Sequence, residues 1–125
     1  MTAQLICKLN DIIPEGGVCA LIEGKQVAVF RTKDDQLFAI DNFDPFSNAS
    51  VLSRGLIGGT VIKTDLEDGS VKEQEVIYIA SPIYKQRFDL ATGQCLDDDS
   101  VKLDCYDVSL QGDQVMISLK DAIAA

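Results

Sequence analysis

The chain contains no histidine. That absence removes the commonest general acid–base side chain and the commonest imidazole metal ligand. Ser–His and Cys–His catalysis go with it, as do most catalytic zinc and non-haem iron sites. Tryptophan is absent too, and no nucleophile motif stands out, so the chain is not expected to catalyse a reaction alone. Basic residues are scarce. Eleven Lys and Arg face twenty Asp and Glu, a formal net charge of −9. That sign argues against nucleic acid, whose phosphates need Lys and Arg, and against docking on anionic lipid. It permits a partner with a basic face, although an acidic surface also serves solubility. No run approaches the ~18 apolar residues of a membrane span. Met1 to Asn10 carries one Lys and lacks the apolar stretch of a secretory signal, so a cytoplasmic location is expected.

The four cysteines, Cys7, Cys19, Cys95 and Cys105, form no C-x-x-C pair. Without a secretory signal they are expected as reduced thiols. Each lies in or beside an apolar strand pattern, where a free Cys behaves as a small hydrophobe.

What is present reads as strands. Residues AVILMFWYC make up 46% of 125 residues, enough for one globular domain with its own core. Short apolar runs alternate with turn signals, and no window sustains a helical period. Gln4 to Leu9 is a first strand, and Asp11 to Gly17 a loop with one Pro and two Gly. Val18 to Glu23 and Gln26 to Thr32 form a hairpin closed at Gly24-Lys25. In the second of these strands Val27 and Val29 share one face, and Ala28 and Phe30 the other. Both faces are apolar, as in a strand covered on two sides. Lys33 to Gln36 turns into a strand at Leu37 to Asp41. The irregular stretch from Asn42 to Gly59, with Pro45, three Ser, two Asn and three Gly, is a candidate functional loop. Thr60 to Leu66 and Val71 to Ala80 pair across a Glu67-Asp-Gly-Ser70 turn. A short loop at Ser81 to Lys85 precedes Gln86 to Leu90 and a turn at Ala91 to Gln94. Leu103 to Leu110 and Gln114 to Leu119 close the domain around Gly112. Strands at this spacing indicate an all-β antiparallel sandwich or barrel. One domain over 1–125 is expected, with a core of 1–119 and a tail of 120–125.

Two segments carry a family resemblance. Leu37 to Asn42, Asp44-Pro-Phe-Ser-Asn-Ala49 and Leu52-Ser-Arg-Gly-Leu56 resemble the first cluster-binding loop of Rieske domains, C-P-H-x-x-A followed by L-x-x-G. Ile79-Ala-Ser-Pro-Ile-Tyr-Lys-Gln-Arg-Phe-Asp-Leu90 with Ala91-Thr-Gly-Gln-Cys-Leu-Asp97 resembles the second, C-P-x-H-x-x-x-F-D-L-x-T-G. The resemblance implies a Rieske-like fold with two apical loops. A Rieske centre holds one iron through two Cys and the other through two His. Those positions carry Asp44, Phe46, Ser81 and Tyr84 here, so no thiolate or imidazole remains, and no metal is expected. The spacings of the four cysteines match no ferredoxin pattern.

The same segments, with the longer stretch from Thr60 to Glu75 between the loops, resemble the small subunit of assimilatory NAD(P)H-dependent nitrite reductase. That resemblance implies a non-catalytic subunit with no cofactor of its own. It implies docking on a large subunit that carries FAD, sirohaem and [4Fe–4S] and reduces nitrite to ammonium with NAD(P)H. Phe46, Tyr84, Lys85 and Arg87 are the candidate docking residues, since aromatics and Arg suit interfaces. Phe46 and Tyr84 have a competing role as filling for the space a cluster would take. The Asp97 to Asp99 run reads as a solvated turn, and Asp44 as an organiser of its loop. The alternatives are an interaction module of another oxidoreductase, such as a degenerate ferredoxin, or a stand-alone redox protein.

Overall fold

A computed structural model of the chain describes residues 3–83 and 85–118. The expected strands form. β1 (Gln4–Lys8), β2 (Gly16–Ile22), β3 (Lys25–Arg31), β4 (Leu37–Asp41), β10 (Cys105–Gln111) and β11 (Gln114–Ser118) make one six-stranded sheet. Its order is β1-β11-β10-β4-β3-β2, antiparallel throughout. Between β4 and β10 lie the short pair β5 (Phe43–Asp44) and β6 (Ala49–Ser50) and a three-stranded sheet. That sheet comprises β7 (Leu56–Asp65), β8 (Val71–Ala80) and β9 (Arg87–Asp89), with β8 in the centre. The architecture is an antiparallel near-barrel, as the strand pattern implies, and its two loops meet as the Rieske resemblance implies.

Strand β3 divides the interior. Val27 and Val29 enter one cluster with Ile12, Ile22 and Ile117. Ala28 and Phe30 enter a second, with Ile40, Leu52, Ile79 and Phe88. This is the physical meaning of a strand apolar on both faces. The second cluster lies beneath the loops and is the floor on which they rest.

Several strand ends differ from the sequence reading, and two differences have a clear physical reason. The β2–β3 hairpin turns at Glu23 and Gly24, with φ of 48° and 82°, and not at Gly24-Lys25. Positive φ at both central residues matches the strand twist, and Lys25 already pairs with Ile22. The irregular stretch after Asn42 ends at Gly55. Leu56 to Gly59 belong to β7, because pairing with Tyr78, Ile79 and Ala80 outweighs the poor strand propensity of two glycines. Residues 119–125, with the expected tail, lie outside the described residues.

Candidate functional site

Asn42 fixes the start of the first loop and is buried. Its backbone N–H donates to Gln26 O at 3.1 Å and its carbonyl accepts from Leu52 N at 3.1 Å. Its side-chain oxygen accepts from Ser53 N at 2.7 Å, and its amide donates to Ser50 O at 3.2 Å. One side chain thus gathers both ends of a loop that has little regular pairing of its own. The sequence reading missed it. An Asn ending a strand before a Pro-containing loop was the available signal.

Within this loop Asp44 is fully buried, at 0% exposure. Its Oδ1 accepts from Phe46 N at 2.9 Å, the turn expected of an Asp before Pro. Its Oδ2 accepts from Ser47 Oγ at 2.8 Å. The same Oδ2 accepts from Ser81 Oγ at 2.5 Å, and Ser81 is 1% exposed. Asp44 and Ser81 stand 37 residues apart and belong to different loops. They are also the two positions at which Rieske loops carry thiolates. A buried, charge-assisted hydrogen bond joins the loops at these positions.

The second loop closes on itself around Ser81. Ser81 N donates to Gln86 O at 2.9 Å and Lys85 N to Ser81 O at 3.1 Å. Ile83 N points at Ser81 Oγ, 3.3 Å away. Gly55 lets the loops meet: a Cβ there would stand 2.2 Å from Ala80 O, so only glycine fits.

The four docking candidates behave differently. Lys85 is exposed, in the left-handed region at φ 62°. Phe46 is half-buried on the second core cluster, its ring centroid 6.1 Å from that of Phe88. Arg87 is held by its own domain. Its Nη2 meets Asp97 Oδ1 at 2.9 Å, and its guanidinium lies over Tyr78, 5.5 Å from the ring centroid. The bonds from Arg87 hold the Asp97 carboxyl below its usual range. Asp97 is therefore a structural partner and not simply part of a solvated turn. Tyr84 lies outside the described residues. Sequence reasoning missed the exposed apolar rim of the loops: Leu56 at 73%, Ile83 at 46% and Phe43 at 43% exposure. Single apolar residues at loop edges carry no periodic signal, so their exposure is read only from the structure.

The residues at the ligand positions do not fit an iron–sulfur cluster. Both Asp44 oxygens accept hydrogen bonds from the chain, Ser81 offers a hydroxyl, and Phe46 has no lone pair. Among the described residues no group of three or more His, Cys, Asp or Glu has metal-binding geometry. The four cysteines are free thiols. Burial pushes the Cys95 thiol up and that of Cys105 up to about 11, so both are protonated at neutral pH. Cys19 departs from the expected role of a small hydrophobe: it is exposed on β2, at the edge of its sheet.

Comparison with known proteins places the fold in a family. Residues 3–118 match the family described as the Rieske-like [2Fe-2S] domain. The nitrite reductase (NADH) small subunit of Salmonella typhimurium is 44% identical over 115 residues, 91% of this chain and 94% of the relative. The NMR structure of the Escherichia coli protein NirD superposes with a TM-score of 0.74 at 41% identity, covering 93% of this chain and 94% of the other. A third relative is much longer. The nitrite reductase [NAD(P)H] large subunit of Klebsiella oxytoca is 35% identical over 121 residues, which is 97% of this chain but 11% of that one. The chain therefore belongs to the Rieske-like family of nitrite reductase (NADH) small subunits.

Proposed function

We propose that this chain docks, without a cluster and without catalysis of its own, on the large subunit of an NADH nitrite reductase through the apex of its two loops. The large subunit supplies FAD, sirohaem, [4Fe–4S] and NAD(P)H and reduces nitrite to ammonium; the small subunit biases it toward one arrangement of its domains. A protein that binds only one arrangement stabilises it by mass action. The cytoplasm is the compartment assigned to it, and a single domain spans the chain.

The observation that carries the reading is the buried Asp44–Ser81 bond. It ties the two loops together at positions where Rieske loops carry thiolates, and so gives the apex a fixed shape through the chain's own side chains. Around it stand Leu56 and Ile83, exposed and apolar, and Lys85, exposed and cationic. Exposed apolar side chains with a cation beside them suit a docking patch. The Klebsiella relative supports the choice of partner, since its large subunit contains a segment like this chain.

The test is a titration of the chain into the purified large subunit by calorimetry. Ile83→Asp with Lys85→Glu is expected to weaken binding by at least about tenfold while leaving the melting temperature within about 2 °C, because both side chains are exposed. Undiminished affinity in that variant removes the apex as the docking surface.

A further inference from the structure

Strand β7 runs ten residues and pairs along one side only, with β8. Its other edge receives no backbone hydrogen bond among the described residues. Along an antiparallel strand every second residue turns its N–H and C=O to that side. The outer part of the hairpin also lacks a floor. β9 covers β8 only at Tyr78, Ile79 and Ala80, and every residue from 61 to 75 is exposed. Val61, Leu66 and Val71 on this arm are 47%, 43% and 53% exposed. A two-stranded ribbon standing alone is only marginally stable, and a long open edge invites another strand.

The surroundings say what kind of strand fits. A groove of about 450 Å3 lies between the β7–β8 hairpin and the turn after β3, with Gly58 and Gly59 of β7 and Val76 and Ile77 of β8 on the hairpin side. Glu15, Asp34 and Glu75 border it against one cation, Lys33. Further out the arm carries Asp65, Glu67, Asp68 and Glu73 against Lys63 and Lys72. None of these carboxylates is ion-paired among the described residues. The edge is also continuous with the apex. β7 starts at Leu56, which pairs with Ala80, the neighbour of Ser81. From there it runs ~30 Å outward at ~3.3 Å per residue.

We infer that the free edge of β7 takes up an extended, basic segment of the large subunit as an added strand, making the β7–β8 arm a second contact with the same partner. This rests on the docking reading above. Main-chain bonds along β7 supply the pairing, and the acidic groove selects Lys and Arg side chains on alternate positions of the incoming strand. The partner thereby grips the domain at two places, the apex and the arm.

Amide hydrogen exchange of the unaltered chain, free and bound to the large subunit, reads the added strand directly. Amides within residues 57–65 are expected to slow by at least about tenfold on binding. A second variant, Asp65→Lys with Glu73→Lys and Glu75→Lys, changes only exposed side chains. It is expected to keep its melting temperature and lose affinity by at least about tenfold, while the affinity of the unaltered chain falls with added salt. Unchanged exchange along β7 in the complex overturns the inference, as does affinity of the lysine variant within about twofold of the original. If the arm proves silent while Ile83→Asp with Lys85→Glu abolishes binding, the apex reading stands and the arm falls. If the unaltered chain does not bind the large subunit at all, both fall.

Discussion

Replacing Ser81 with Ala should unlock the two loops at a predictable free-energy cost. The Ser81 hydroxyl donates to a fully buried carboxylate at 2.5 Å. A hydrogen bond to a charged group contributes about 1.5–3 kcal/mol, and the charge left behind is not rehydrated. Asp44 keeps two donors, Phe46 N and Ser47 Oγ, which holds the loss near the lower half of that range, about 2 kcal/mol. For a chain of 125 residues the unfolding entropy is about 260 cal/mol/K, so the melting temperature should fall by about 8 °C. Asp44→Ala strands all three donors, two of them side-chain hydroxyls, and should cost about 3–5 kcal/mol. The assay is urea unfolding of both single variants and of the pair. The double-mutant cycle should return a coupling of about 1.5–3 kcal/mol, because the Ser81 hydroxyl loses its acceptor once Asp44 is gone. If Ser81→Ala costs less than about 0.5 kcal/mol, or the two substitutions add without coupling, the bond does not hold the loops together.

Three further outcomes follow from the same geometry. Gly55→Ala should drive the loops apart, since its Cβ would lie 2.2 Å from Ala80 O; a loss of about 1–3 kcal/mol is expected, and a neutral substitution would show that the loops meet elsewhere. Alkaline stability should fall early. The Cys105 thiol is raised from 9.0 to about 11 by burial, and the Tyr106 phenol is raised by burial and by its hydrogen bond to Asp41. Both groups hold their protons longer when folded, so their contribution is intact below about pH 9 and is lost as pH rises through the folded values. Urea midpoints should drop over that window, less so for Cys105→Ala with Tyr106→Phe; parallel curves would refute the assignment. Alkylation by iodoacetamide near neutral pH should label Cys19, which is exposed, well before Cys95, which is 1% exposed. Equal rates in a mass-spectrometric time course would contradict the burial.

Much of the architecture was legible because strand periodicity is local. Val27 to Phe30, apolar at every position, announced a strand with a core on each side, and both cores are there. The Glu67 to Ser70 turn was readable from Asp68 and Gly69, which close it. The beginning of β7 was not readable. Gly58 and Gly59 argue locally against a strand, and only the pairing with β8 overrides them. The loops were recognisable from Asp44-Pro45 and Ser81-Pro82 and from the pattern around them. The bond between Asp44 and Ser81 was not, because a contact across 37 residues leaves no mark on spacing. Arg87 was chosen for docking on residue type alone, and residue type is silent about Asp97 ten positions on, which holds it.

The most direct test of the central claim is reconstitution. The purified small chain, assayed for iron and acid-labile sulfide, is added to the purified large subunit while nitrite-dependent NADH oxidation and complex formation are followed together. A chain free of iron that binds with a stoichiometric end-point and alters the rate is the result this account predicts. A chain that binds or acts only when it carries iron and sulfide would contradict it.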